Sequence, residues 1–255
     1  FVQAFAGDDR LIVDYLVDDV LASQRPAIHR FLLQTSILER LCGPLCAAVT
    51  GQSDSAQTLR ALEDVNLFIV PLDTQRHWYR YHPLFSELLR HRLERARPPG
   101  DLIDLHRRAS AWYDQEGFGE DAVSHALQTD DVDRILALTT AHIPPALLRA
   151  ELVLVNRWLD ALDDGPQSRL IRDHPMLCVA RAWCVLAHSS DEARRWIGRA
   201  EAHLEKGVTP DLHALVTSHV ATLNVAIARW LNAPPAKVRE LSETALAQIP
   251  PSEAR

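Results

Sequence analysis

Leu67-Phe68-Ile69-Val70-Pro71-Leu72, Asp73-Thr74-Gln75-Arg76-His77 and Trp78-Tyr79-Arg80-Tyr81-His82 run consecutively, and their reading decides the fold. The first block is short, apolar and β-branched. The second is a polar turn, and the third alternates aromatic and polar side chains. Together they predict a β-hairpin, the one convincing strand pair in the chain. Pro71 suits an edge strand, because proline has no N–H to give to a ladder.

Working outward, helices flank this hairpin on both sides. Upstream, Ile28, Phe31, Leu32 and Leu38 follow the boundary at Pro26 with helical spacing. Gly43-Pro44 starts a short helix, Leu45 to Val49, that Gly51 ends. Ser53 or Asp54 caps a third helix with Leu59, Leu62 and Val65 on its buried side. Downstream, Leu84, Phe85, Leu88, Leu89 and Leu93 predict a helix to Arg97, closed by Pro98-Pro99-Gly100. Three helices, a two-stranded wing and a further helix is the order of a winged helix. Residues 8–24 predict one more helix before it, with Leu11, Ile12, Tyr15, Leu16, Val20 and Leu21 on a wide apolar face.

Beyond Gly100 the texture is helical throughout. Asp101 is expected to cap a helix containing Leu105, Ala109, Trp112 and Tyr113, which Gly117 ends. Glu120 to Leu127 is its short partner. Breaks are expected near Asp130, Pro144-Pro145, Gly165-Pro166, Pro175, Ser189-Ser190, Pro210 and Pro234-Pro235. Antiparallel helix pairs with short joints predict a bundle or an α-solenoid. Ala109, Tyr113, Gly117, Ala122 and Ala126 echo a tetratricopeptide unit, but no strict period recurs, so the expectation is a degenerate helical-repeat array. The fold class is therefore mainly α, a winged helix leading into an α-solenoid of tetratricopeptide-like repeats.

Composition narrows function. The 255 residues are 47% apolar and 24% charged, which predicts a folded core. The net charge of −7 disfavours nucleic acid or an anionic membrane as the main partner of this piece. No apolar run is long enough for a membrane span. The chain opens at Phe1 and its one methionine is Met176, so it is expected to be an internal piece of a larger protein. The four cysteines form no CxxC unit and are expected to be buried thiols rather than disulfides or metal ligands. No glycine precedes a lysine, so the phosphate cradle of a P-loop is absent, as are the GxSxG and HExxH motifs. Histidines on the helices, among them His29, His106, His125, His142, His203, His213 and His219, have no acid or cysteine partner at ligand spacing. They are expected in surface or packing roles, and no catalytic or metal-binding residue is assigned. Arg90, Arg92, Arg95 and Arg97 read as a solvated face.

The segments Phe5-Ala6-Gly7-Asp8-Asp9-Arg10, Val13-Asp14-Tyr15-Leu16-Val17, Phe31 to Leu38, Gly43-Pro44-Leu45-Cys46, Thr50-Gly51 and Tyr79-Arg80-Tyr81-His82-Pro83-Leu84-Phe85 resemble the large ATP-dependent LuxR-type transcriptional regulators. These are bacterial relatives of the maltose-regulon activator, within the signal-transduction ATPases with numerous domains. The resemblance covers roughly the first 130 residues and is one of texture beyond them. It implies residues 1–24 as the end of an ATPase-associated helical module, 25–97 as the winged helix, and 98–255 as the first part of a helical-repeat sensor. It implies a cytoplasmic regulator that binds ATP or ADP through a P-loop module outside this chain, and DNA through a C-terminal helix-turn-helix also outside it. An inducer molecule or regulatory protein would bind the repeats, and the parent would contact its own other domains and self-associate. The resemblance implies one cofactor-binding residue, His82, which holds the place of the histidine that reaches the β-phosphate of ADP in related nucleotide switches. Tyr81 and Pro83 stand where that motif has methionine and aspartate. The alternative reading is a free-standing helical-repeat interaction scaffold.

The third helix bears one cation, Arg60, against Asp54, Glu63 and Asp64, a poor match to a phosphate backbone. Gel shifts of this chain at low salt are expected to give no tight complex with duplex DNA. A tight complex that dissolves as salt rises would overturn the acidic-helix reading.

Overall fold

The computed structural model describes residues 24–96, 99–165 and 168–248. The expected helix over residues 8–24 lies almost wholly outside them. The chain divides after Asp130 into two compact units.

The first unit is built around the wing. Helix α1 (Pro26–Thr35) begins with proline at its first position, where a missing N–H costs nothing. It buries Phe31 to Thr35. Helix α2 (Gly43–Thr50) ends at Gly51, whose φ of 75° is the left-handed conformation that glycine adopts without strain. Helix α3 (Ser55–Asp64) ends differently. Leu67 N–H donates to Leu62 O at 2.9 Å and Asn66 N–H to Glu63 O at 2.8 Å, with Asn66 at φ 51°. Leu62 and Leu67 are both buried, so this cap pairs its two hydrogen bonds with an apolar contact.

Strand β1 (Ile69–Pro71) pairs antiparallel with β2 (Tyr79–Tyr81), in the register Ile69↔Tyr81, Val70↔Arg80 and Pro71↔Tyr79. Alternation sends Ile69, Tyr79 and Tyr81 inward and leaves Val70 and Arg80 exposed. Helix α4 (Pro83–Ala96) follows at once and buries Phe85, Leu89 and Leu93 at helical spacing. Helix order and wing are those of a winged helix.

Helix α5 (Pro99–Gln115) and helix α6 (Gly119–Ala126) complete the unit as an antiparallel hairpin. Asp101 lies within the first turn of α5 rather than capping it. Gly117 sits at the turn with φ 80°. Ala109, Tyr113, Ala122 and Ala126 are all buried, and Ser110 donates to Ala122 O at 2.8 Å. The small side chains let the two helices approach closely, and α5 also packs on α2.

The second unit has helices and connecting turns, with no strand among its described residues. It comprises α7 (Val132–Leu148), α8 (Leu152–Asp164), α9 (Leu170–Asp173), α10 (Pro175–Leu186), α11 (Ser190–Glu205), α12 (Pro210–Trp230) and α13 (Pro235–Gln248). Proline opens α10, α12 and α13, the position that tolerates it best. Asp131 caps α7 through Arg134 N–H at 3.0 Å, and Ser189 caps α11 through Glu192 N–H at 3.2 Å. Helix α10 is the centre. It is buried from Pro175 to Ala182 and packs on α8, α11 and α12.

The expected break at Pro144-Pro145 is not there. Both prolines lie inside α7. Neither can donate to the preceding turn, which normally breaks a helix. Here Ile143 and Ala146 are fully buried on either side, so packing holds the helix through the defect. Just upstream, Thr139 and Thr140 hydroxyls donate to Ile135 O and Leu136 O at 2.7 Å each.

Gly43 marks the tightest approach in the first unit. A Cβ there would lie 2.7 Å from Ala56 Cβ and 3.2 Å from Ala56 Cα, which is backbone of α3 and cannot swing aside. Gly43→Ala is expected to cost about 1–3 kcal/mol in urea unfolding by forcing α2 off α3. A variant as stable as the parent would show that this contact does not limit the packing.

Candidate functional site

His82 stands between β2 and α4. Its N–H donates to Phe68 O at 2.7 Å, and its C=O accepts from Ser86 N–H at 3.0 Å. The backbone of His82 thus closes the wing and opens the helix. Its imidazole is exposed.

The surroundings of His82 are apolar. Phe68, whose carbonyl His82 N–H meets, and Leu84, two residues on, are both exposed large side chains. Phe68 holds φ 50°, a costly conformation for a bulky residue. Two contacts fix it there: the His82 N–H on its carbonyl, and a stacking contact of its ring with Phe85 at 5.1 Å.

At the other end of the hairpin, the turn is bound to α3. Asp73 accepts from His77 N–H at 3.1 Å and Trp78 N–H at 2.8 Å, and these bonds hold its carboxyl below the usual carboxylate range. Arg76 Nε donates to Glu63 Oε1 at 2.8 Å, and Tyr79 hydroxyl to Glu63 Oε2 at 3.3 Å. The wing cation nearest α3 is therefore already engaged by an α3 carboxylate. Arg90 is exposed, as expected of a solvated face, and its Nε also donates to Ser36 O at 2.8 Å, which ties α4 to the end of α1.

One cluster joins winged helix and hairpin, a second lies within the hairpin, and sequence reasoning missed both. In the first, Arg40 lies over the rings of Trp78 and Phe118 and pairs with Asp121 at 3.0 Å. In the second, His106 Nδ1 and His125 Nδ1 lie 2.9 Å apart, one donating and the other accepting. Tyr113 stacks on His125 at 5.4 Å. Burial holds His106 down to about 4 and His125 down to about 3, helped for both by the charge of Arg90 and, for His125, by its neighbour His106. The signal was available in outline: the two histidines flank the Gly117 turn on antiparallel helices. What was missing was the rotation of each helix about its axis.

The cysteines offer no nucleophile. Burial raises all four thiols, Cys178 and Cys184 to about 11. Among the described residues, no three His, Cys, Asp or Glu side chains gather as they would around a metal ion. Nor is any helix there long and apolar enough to cross a membrane.

The fold and the wing define the class: a winged helix followed by paired helices, with an exposed histidine where wing meets helix. Comparison with known proteins agrees. Residues 17–101 match the family model of the MalT winged helix domain. The chain is 29% identical, over 238 residues, to the HTH-type transcriptional regulator MalT of Vibrio parahaemolyticus serotype O3:K6 (strain RIMD 2210633). That alignment covers 92% of this chain and 26% of the relative, so the chain spans about a quarter of that protein's length. The chain is similar to a MalT-type transcriptional regulator along most of its length.

The buried histidine pair sets a pH dependence. Unfolded, each ring takes a proton near pH 6.5; folded, each does so only well below that. The unfolded state therefore binds more protons in between, and stability falls as pH drops from about 6.5 toward 4. Urea midpoints measured from pH 8 to pH 4 are expected to fall less steeply for His125→Gln than for the parent. Parallel curves would show that the pair is not what acid attacks.

Proposed function

We propose that this chain is the central coupling portion of an ATP-dependent, LuxR-type transcriptional regulator. Residues 1–24 end the ATPase-associated helical module, 25–97 are the winged helix, and 98–255 begin the helical-repeat, tetratricopeptide-like sensor. The chain itself carries out no chemistry. ATP or ADP binds to a P-loop module outside it, and DNA to a helix-turn-helix outside it. An inducer or regulatory protein binds the repeats, and the parent works in the bacterial cytoplasm and self-associates.

One observation carries the reading: on a MalT-like winged helix, His82 is exposed where the wing meets α4, free to face a ligand held by another domain. An imidazole N–H donates well to a phosphate oxygen. The apolar side chains flanking it are the composition of a surface that a neighbouring domain covers. A donor that meets the β-phosphate in the ADP-bound state and not in the ATP-bound state biases the equilibrium between the two. Release of the winged helix on nucleotide exchange then relays the state to the repeats.

In the full-length regulator, His82→Ala is expected to weaken ADP binding about tenfold, the loss of one charge-assisted hydrogen bond, and to raise basal transcription. ADP affinity by calorimetry and a reporter assay check it. A variant that holds ADP as tightly as the parent and stays inducible would remove the lever role from His82.

A further inference from the structure

Strand β2 meets an aromatic cluster at its hairpin end, and past the buried Tyr81 at its other end the chain surfaces at His82. Beside its hairpin end, the ring of Trp78 meets Trp112 of α5 at 6.4 Å and Phe118 at 5.8 Å, both edge-on. Phe118 lies nearly parallel to Trp112 at 6.0 Å. The Arg40 guanidinium sits 5.1 Å over Trp78 and 5.7 Å over Phe118, and donates to Asp121 Oδ2 at 3.0 Å. Leu41, the next residue, exchanges both backbone hydrogen bonds with Tyr79, each 2.8 Å. Four pieces of chain meet here: the α1–α2 connection, the wing, α5 and α6. His82 lies four residues beyond Trp78, just past the end of β2, about 13 Å away at the rise of extended chain.

We propose that Arg40 is the positioning residue that fixes β2, and with it His82, to the first helical hairpin. The use of this link rests on the role of His82 given above; its geometry does not. β2 is short and paired on both sides, by β1 and by Leu41, so it moves as a rod rather than bending. A shift of Phe118 or Asp121 displaces Arg40 and Trp78, and the far end of the rod carries His82. The hairpin that starts the sensor thereby sets where the exposed imidazole stands.

The ring contacts dominate the grip. The Arg40 and Asp121 side chains are 43% and 26% exposed, so water and salt screen their ion pair. Stacking on two aromatic faces needs the planar guanidinium, which lysine cannot reproduce. Asp121 adds direction: its carboxyl is desolvated between α6 and Arg40 and is raised by that burial against the lowering effect of the guanidinium.

The test uses this chain with labelled histidine, its His82 ring signal assigned by His82→Gln. Imidazole spectra and amide hydrogen exchange are compared for the parent, Arg40→Gln, Arg40→Lys and Asp121→Asn. Arg199→Gln is the control, because it removes a similar cation–π contact, on Trp196 at 4.6 Å, in the second unit. Arg40→Gln is expected to move the His82 signal and to speed β2 amide exchange about fivefold or more. Arg40→Lys should do nearly the same, Asp121→Asn less, and Arg199→Gln nothing in β2. Movement of the Trp78 and Phe118 signals with His82 and the β2 amides unchanged would overturn the proposal. Should Arg40→Gln fail to fold, Phe118→Leu removes one ring from beneath the guanidinium and the same two outcomes decide. Because no nucleotide is present, a failure here leaves the ADP measurement on His82→Ala untouched, and the reverse holds too.

Discussion

A pair of three-residue strands does not persist in water, so the wing exists only because β2 is held from both sides. Tyr79 and Tyr81 point into the core, and their burial supplies what the short ladder cannot. Leu41 adds a third, bridging partner on the edge of β2 away from β1. The Tyr81 hydroxyl, whose ionisation burial suppresses, meets Thr35 Oγ1 at 2.7 Å, and the Tyr79 hydroxyl reaches Glu63. Every feature assigned to the wing hangs on these two inward tyrosines: the exposed imidazole beyond Tyr81, the strained Phe68, and the grip on Trp78.

The second unit has no sheet among its described residues and solves the register problem with a buried charge. Arg181, on the central helix α10, is 7% exposed. It donates to Asn156, Asp160 and Asp163 at 2.9, 2.7 and 2.5 Å. These three acceptors lie one turn apart along a single face of α8. A buried guanidinium that lost them would leave a large desolvation penalty uncompensated, so sliding α8 against α10 is costly even where apolar side chains would tolerate it. Apolar packing decides how strongly these helices associate, and this cluster decides in which register.

The histidines divide into two kinds, and the division follows solvation. His106 and His125 are buried, satisfy one another and stay neutral, which makes them parts of the hairpin. His82 has its backbone fully used by the fold and its ring left to solvent. A residue whose main chain is fixed and whose side chain is free is preorganised to meet a ligand, because little further ordering is needed. The same logic separates the arginines: Arg181 is buried and Arg40 half-buried within the fold, while Arg60 stands on the exposed face of α3.

The sequence by itself determined the winged-helix order, the wing hairpin and most helix boundaries. Those features arise from side-chain period and turn chemistry within a few residues, as at Gly51, Gly117 and the prolines that open α10 and α12. It also singled out His82, through a motif contiguous in the chain. Only the tertiary structure decided that α7 runs through Pro144-Pro145, because the packing that overrides proline comes from other helices. It alone brought Arg40 to Phe118, His106 to His125 and Arg181 to Asp160. Those pairs depend on how each helix is rotated and how deeply it is buried. Apolar periodicity fixes such a rotation only coarsely, and a hydrogen bond or a ring contact requires it to within an ångström or so.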